Sequence, residues 1–303
     1  MNRFRLVFAV LLLFCVTRSG AQQQYVKLWD GVKGVYSAGK VDLALFPAPD
    51  SIRTDVSVIV CPGGSYFWLD RENEGSDVVK WLNSQGINAF VLYYRVAGVP
   101  AFLTGFRVFG GGVRFPYALA DAQMALNWVR QHVQEYGLSK EKVGMMGFSA
   151  GGHLVMSAAC FSQTDFTAGT GVECTESLRP SFVAPIYPVV TMHGEYVHKR
   201  SRRALLAEDR CADEAMRDSL SLERHIPAEC PPVFLVNCED DPTVDYHNSV
   251  ILDEALSESG VEHKYLKYST GGHGFGASDI KGTPECREWK NEFVKWLKET
   301  EFL

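Results

Sequence analysis

Apolar residues along this chain fall into short continuous runs, separated by stretches in which they recur every three or four positions. Residues 56–61, 87–94, 143–146, 182–188 and 232–236 are such runs. A strand covered on both faces reads this way, because neither of its sides meets water. Residues 41–46 and 264–268 alternate at period two instead, as strands with one open face do. Between the runs, residues 75–85, 117–136, 245–259 and 285–300 carry helical spacing. In the second of these, Leu119, Ala122, Leu126, Val129 and Val133 form one apolar stripe, and Gly137 is expected to end it. The last turns Trp289, Phe293, Trp296 and Leu297 inward. Repeated β–α alternation predicts an α/β fold, with a mostly parallel central sheet and helices on both faces. No linker or repeat divides residues 22–303, which read as one domain.

Three connections are too long for tight turns: residues 97–115, 163–180 and 193–231. The first holds Phe102, Phe106, Phe109 and Gly110 to Gly112, and is either a lid over a site or a packed surface loop. The third carries Lys199, Arg200, Arg202 and Arg203, expected to be a solvated helix face rather than a polyanion site.

The chemistry gathers at the ends of the apolar runs. Directly after residues 143–146 stands Gly147-Phe148-Ser149-Ala150-Gly151, a G-x-S-x-G turn. Such a turn from strand to helix must be sharp enough to lift the serine hydroxyl clear of the sheet, and the flanking glycines remove the side chains that would clash. The helix that follows would aim its free N–H groups back at the serine, which suits a developing oxyanion. Residues 232–236 run into Asn237-Cys238-Glu239-Asp240-Asp241-Pro242-Thr243-Val244, a strand ending in an acidic turn. Asp241 is favoured as the functional acid, because Pro242 would fix the turn just after it; Asp240 is expected to be a turn or rim carboxylate. His273 lies in the glycine-rich Gly271-Gly272-His273-Gly274-Phe275-Gly276. The order Ser149, Asp241, His273 is the one expected of an α/β-hydrolase, and it differs from the chymotrypsin and subtilisin orders.

Upstream, residues 56–61 break into Pro62-Gly63-Gly64-Ser65-Tyr66. With this loop, the elbow, the Asp241-Pro242-Thr243-Val244 turn and the histidine loop together, the chain from about residue 41 onward resembles the α/β-hydrolase superfamily. Within it, the resemblance is to small carbohydrate esterases of the acetyl-xylan-esterase and feruloyl-esterase-like type. There the usual oxyanion loop is His-Gly-Gly-Gly. The resemblance implies that the N–H groups of Gly64, Ser65 and Ala150 are the oxyanion donors, although Pro62 replaces the histidine and Ser65 the third glycine. Tyr66, Phe67 and Trp68, just past that loop, are candidates for lining a sugar or aryl pocket, with ordinary core packing as the alternative.

Composition narrows the partners. With 36 Asp and Glu against 30 Lys and Arg, the chain is acidic, which argues against nucleic acid, since phosphate binding requires a basic face. Arg3 and Arg5 precede an apolar stretch over residues 6–14, and Ser19 and Ala21 supply small residues. Residues 1–21 are therefore expected to be a signal peptide cleaved after Ala21, leaving a secreted or periplasmic protein. The stretch is shorter than the ~20 residues of a membrane span, and Phe14 before Cys15 is too bulky for a lipobox. Past residue 21 stand Cys61, Cys160, Cys174, Cys211, Cys230, Cys238 and Cys286. An odd number leaves a thiol unpaired; Cys160 with Cys174, or Cys211 with Cys230, are candidate bridges. His193 and His198 lack a third ligand at metal spacing, so neither a metal nor another cofactor is expected.

These features lead to a serine esterase with Ser149 as nucleophile, His273 as base and Asp241 as orienting acid, acting on short acyl esters such as those of acetylated xylan or other polysaccharide. A lipase or peptidase on the same scaffold, or a hydrolase-fold binding protein without activity, are the alternatives.

Overall fold

In the computed structural model, which describes residues 24–32, 41–104 and 113–303, the apolar runs become the strands of one sheet. In chain order these are β1 (Gln24–Lys27), β2 (Asp42–Phe46), β3 (Ser57–Cys61), β4 (Asn88–Tyr93), β5 (Val143–Phe148), β6 (Val183–Ile186), β7 (Val233–Cys238) and β8 (His263–Tyr268). They lie in the order β1-β2-β4-β3-β5-β6-β7-β8. β2 pairs antiparallel with β1 and with β4, and every pairing from β4 across to β8 is parallel. The continuous runs β3, β4, β5 and β7 are buried at every position, while β1 and β8 at the edges keep partial exposure.

The helices are α1 (Asp77–Ser84), α2 (Val99–Thr104), α3 (Tyr117–Gln131), α4 (Val133–Tyr136), α5 (Ala150–Cys160), α6 (Lys199–Leu206), α7 (Glu214–Ser219), α8 (His247–Glu258), α9 (Pro284–Arg287) and α10 (Trp289–Glu299). Alternate strand residues face opposite layers. Leu43, Ile59, Leu92, Met145 and Leu235 join Leu126 of α3, Leu154 of α5 and Leu252 of α8 in one core. Val58, Val91, Phe148 and Phe234 join Val78 and Leu82 of α1 and Trp289, Phe293 and Leu297 of α10 in the other. Each such side chain withdrawn from water contributes roughly 1.5–3 kcal/mol, against ~0–1 kcal/mol for an exposed ion pair. The two cores therefore carry the fold.

A buried ion pair braces the first core. Asp121, inside α3, accepts from Arg95 Nε at 3.0 Å, from the Arg95 N–H at 2.9 Å and from Trp29 Nε1 at 2.7 Å. Burial raises the carboxyl's pKa against the pull of that guanidinium.

Several elements depart from the sequence pattern. The helix expected over 117–136 breaks at His132, whose Nδ1 donates to the Trp128 carbonyl at 2.7 Å. That ring takes the acceptor its own N–H would have used in a continuing helix. The connection 193–231 contains α6 and α7, and α6 is more than a solvated face: Arg203 lies over the rings of Phe67 and Phe102, and Arg202 Nη1 donates to Met192 O at 3.1 Å. In the connection 97–115, α2 packs Phe102 against Phe67 and Trp68 and exposes Leu103; Phe106, Phe109 and Gly110 to Gly112 lie outside the described residues, as does the signal peptide expected over residues 1–21. All seven described cysteines are free thiols, in place of the candidate bridges. The two thiols that converge are Cys238 and Cys286, whose sulfurs stand 2.5 and 2.7 Å from where a Cβ on Gly271 would be. No helix among the described residues is long and apolar enough to cross a membrane.

Candidate active site

Parallel strands all end on one edge of the sheet, so the loops after β3, β5, β7 and β8 gather there. Ser149 stands between β5 and α5 with φ 55° and ψ −116°, a conformation that costs a non-glycine residue on the order of 1–2 kcal/mol. Its surroundings impose that geometry. The Ser149 N–H donates to Ile186 O at 3.0 Å and its carbonyl accepts from the Val189 N–H at 3.2 Å. A Cβ on Gly147 would meet the Gly151 carbonyl oxygen at 2.0 Å, and one on Gly151 would meet that of Cys61 at 2.0 Å. Strand, turn and helix thus approach too closely for any side chain at either flank.

His273 Nε2 lies 3.0 Å from Ser149 Oγ, and its Nδ1 lies 2.6 Å from Asp241 Oδ2. With the Nδ1 proton directed at the carboxylate, Nε2 is left to accept from the serine hydroxyl. The other oxygen of Asp241 accepts from the N–H groups of Thr243 and Val244 at 2.7 and 2.9 Å. The Asp241 side chain is 2% exposed and that of His273 14%, so the acid is shielded while the imidazole reaches solvent.

Side chains from elsewhere hold the histidine loop. Asp240 Oδ1 accepts from Gly271 and Gly272 at 2.9 and 2.8 Å. It is the exposed turn carboxylate expected from the sequence, and from that position it tethers this loop. Asn73 Nδ2 donates to Gly274 O at 2.7 Å, Gly276 N–H to Tyr187 Oη at 3.0 Å, and Trp289 Nε1 to Gly276 O at 3.1 Å.

The loop after β3 runs against Ser149, since a Cβ on Gly63 would lie 2.9 Å from Ser149 Cβ. Ser65 and Tyr66 adopt φ 57° and 61°, and Ser65 is the residue standing where a third glycine is usual. The N–H groups of Gly64, Ser65 and Ala150 donate to no protein acceptor among the described residues. Around them the loop is pinned at several points. Gly63 N–H donates to Glu74 Oε2 at 2.7 Å, and Tyr94 Oη to Pro62 O at 2.6 Å. Tyr66 Oη lies 2.9 Å from His153 Nδ1 on α5, and His153 Nε2 lies 3.0 Å from Leu220 O. A carbonyl only accepts, so Nε2 carries the proton and Nδ1 accepts from the tyrosine. Burial holds this neutral imidazole at a pKa of about 4.

Of the three aromatic residues that are candidates for either a substrate pocket or the core, Tyr66 is 3% and Phe67 1% exposed. Both belong to the interior: Tyr66 must reach His153, and Phe67 sits under Phe102 and the Arg203 guanidinium. Trp68 alone is only partly buried, edge-on to Phe102 at 5.4 Å. A separate cavity of about 330 Å³ lies at the opposite edge of the sheet, beside Arg130, Arg179 and Pro232. Its Arg130 guanidinium already donates to Lys140 O, Ser177 O and Ser181 Oγ, which makes it a brace between loops.

The BD-FAE family model matches residues 46–256, from the end of β2 into α8. That span includes the loop after β3, the elbow and Asp241. The chain belongs to the BD-FAE family. Among curated relatives, it is 30% identical over 241 residues to an acetylxylan esterase of Xylanibacter ruminicola, covering 78% of this chain and 44% of that protein. Over 229 residues it is 29% identical to endo-1,4-beta-xylanase B of Butyrivibrio fibrisolvens, covering 74% of this chain and 33% of the other. The chain thus spans less than half the length of these two relatives. Among solved structures, an acetyl ester-xyloside bifunctional hydrolase from Caldicellulosiruptor lactoaceticus superimposes with a TM-score of 0.77 at 29% identity, over 92% of this chain and 97% of that one. A carboxylesterase from Lactobacillus plantarum, at 18% identity and a TM-score of 0.72 over 93% and 98% of the two chains, shares the α/β-hydrolase fold. The BD-FAE match ends before His273, which lies beside Ser149 and Asp241 in the structure.

Asn73, Glu74, Tyr187 and the tethering role of Asp240 escape a reading of the sequence. Asn73 and Glu74 sit in the polar run Asp70-Arg71-Glu72-Asn73-Glu74, which looks solvated, yet both are buried on a single π-helical turn, Glu72–Ser76. The irregular turn itself was the available signal, since the five polar residues lie between an apolar loop and an amphipathic helix and fit neither period.

Proposed function

We propose that this protein is a serine esterase that hydrolyses short-chain carboxylic esters through an acyl-enzyme, with O-acetyl groups on xylan or a similar polysaccharide as the substrate. The hydrogen-bonded series Ser149–His273–Asp241, beside three N–H groups without a protein acceptor, carries the reading. Ser149 Oγ attacks the ester carbonyl carbon while His273 Nε2 takes its proton, and Asp241 stabilises the imidazolium. The negative charge moves to the carbonyl oxygen, which the N–H groups of Gly64, Ser65 and Ala150 hold; one such donor contributes roughly 3–4 kcal/mol to the transition state. Collapse expels the alcohol, protonated by His273. Water, activated by the same imidazole, then attacks the acyl-serine and releases the acid.

Support for the substrate comes from the relatives named for acetylxylan and for acetyl ester-xyloside hydrolysis. The signal peptide expected over residues 1–21 supports a secreted or periplasmic enzyme, located where plant-type polymers are met. The deciding experiment measures acetate release from acetylated xylan alongside aryl esters of increasing chain length and a feruloylated oligosaccharide. Turnover efficiency should fall from acetyl to octanoyl, because methylenes that find no room clash or stay in water. An optimum at about eight carbons or more, with no acetate released from the polymer, overturns the substrate reading.

A further inference from the structure

We propose that Glu74 is a positioning residue that holds the oxyanion loop and the histidine loop in register, acting through the hydroxyl of Tyr187; this rests on the serine-esterase reading above. Glu74 is 4% exposed and, among the described residues, pairs with no lysine or arginine. Burying a carboxylate without a cation costs several kcal/mol, and an apolar residue would fill the same space without that penalty. Its two oxygens, however, join the two loops that must meet at Ser149. Oε2 accepts from the Gly63 N–H at 2.7 Å, one residue before the first expected oxyanion donor. Oε1 accepts from Tyr187 Oη at 2.8 Å, and that same oxygen accepts from the Gly276 N–H at 3.0 Å, three residues past the histidine. The result is a continuous strap from Gly63 through Glu74 and Tyr187 to Gly276.

The neighbouring geometry fits a device for alignment. The Tyr187 ring lies 4.6 Å from the His273 ring, so the strap also packs against the imidazole. Tyr187 is held at φ 38° with its N–H donating to Val236 O at 2.6 Å, and such strain persists where surroundings over-determine a conformation. Asn73 adds a second tie from the same π-helical turn, its Nδ2 reaching Gly274 O at 2.7 Å. Charge reinforces the need for a carboxylate. Burial raises the Glu74 pKa and Asp70 raises it further, while the Tyr187 hydrogen bond, His273 and the Gly63 N–H pull it down; burial chiefly, with the Glu74 charge among its neighbours, in turn raises the pKa of Tyr94, which is tied to Pro62 in the same loop and stays neutral. Ionised, Glu74 presents acceptors to two donors and a negative charge towards the imidazolium that forms during turnover. Protonated, or replaced by an amide, it turns a donor towards one of them.

The test compares wild type, Glu74→Gln, Tyr187→Phe and the double variant, with rates expressed per serine titrated by a fluorophosphonate, so that misfolded protein does not enter the rate. Glu74→Gln should lower kcat by roughly 10- to 100-fold with KM changed by less than about 2-fold, because a displaced oxyanion donor weakens only the transition state. Tyr187→Phe, which removes one hydroxyl and carries the test should Glu74→Gln not fold, should lower kcat by about 10-fold. The double variant should lose no more than the larger single, as expected of two links in one strap. Wild-type protein that labels at Ser149 and turns over ester, while both single variants match it per labelled serine, overturns the inference and leaves the esterase reading standing. Multiplicative losses in the double variant overturn the coupling through Tyr187. Wild-type protein that takes no label overturns the esterase reading, and the inference falls with it.

Discussion

Ser149 and His273 meet at 3.0 Å, yet the elbow and the histidine loop are located by opposite means. At the elbow, backbone packs on backbone: Gly147, Gly151 and the end of β3 approach so closely that added Cβ atoms would stand 2.0 Å from carbonyl oxygens. The histidine loop is instead a flexible sequence, with Gly271, Gly272, Gly274 and Gly276 all at positive φ. It becomes rigid only through Asp240, Asn73, Tyr187 and Trp289, which arrive from four other parts of the chain. Positioning by close packing tolerates no substitution at the contact. Positioning by tethers spreads the requirement over many side chains, each of which matters less.

The largest effect should come at the elbow's single reactive atom. Ser149→Ala should lower kcat by at least ~10³-fold, with circular dichroism and thermal midpoint unchanged because one hydroxyl contributes little burial. Retention of more than a few per cent of activity in pure protein would remove Ser149 from the mechanism.

On the tethered side, two adjacent carboxylates should separate by function. Asp241→Asn should lower kcat by ~10³-fold or more, since an amide facing Nδ1 favours the wrong imidazole tautomer. Asp240→Asn keeps an oxygen for the Gly271 and Gly272 N–H groups and should stay within a few-fold of wild type, whereas Asp240→Ala, which frees the loop, should lose about 10-fold. Equal losses for the two asparagine variants would contradict the assignment.

A pair of glycine substitutions compares the regions directly in stability. Gly151→Ala drives a methyl into the Cys61 backbone and should destabilise by about 3 kcal/mol or more, to the point of poor expression. Gly272→Ala meets nothing within 4 Å and should cost only the ~1–2 kcal/mol of a left-handed non-glycine residue. Urea unfolding of both variants reads the contrast; equal midpoints would dissolve it.

The smallest effect belongs to the tie between the oxyanion loop and α5. His153 is held at about 4 when folded against 6.5 otherwise, so its neutral burial costs nothing above pH 6.5, and stability is lost as pH falls from there towards 4. By pH 5.5 the loss should reach about 1 kcal/mol. His153→Gln can still accept from Tyr66 and donate to Leu220 O, and it should show that much less destabilisation between pH 7 and 5.5. Parallel pH curves for the two proteins would rule out a buried neutral His153.

Legibility in the sequence follows the same division. The elbow is readable because its contacts are made by neighbours in the chain, and the glycine spacing records them. β3, β5 and β7 are readable because strands covered on both faces have no polar phase. Tyr66 and Phe67 look like pocket residues until the positive φ at Ser65 and Tyr66 turns them into the core. Asn73 and Glu74 leave only a polar run that fits neither period, and Tyr187 leaves no local trace, since the partners Gly63, Gly274 and Gly276 mostly lie far along the chain and are joined only by the fold. Asp240 and Asp241, one residue apart, differ in role solely through which loop atoms each oxygen meets.

The central claim, that Ser149 is an activated nucleophile driven by His273, is tested most directly by intact-protein mass spectrometry after exposure to a fluorophosphonate, with the adduct located by peptide mapping. Wild type should gain a single adduct on Ser149, His273→Gln should gain it at least ~10²-fold more slowly, and Ser149→Ala should gain none. Labelling of another residue, or equal labelling in the histidine variant, would contradict the account.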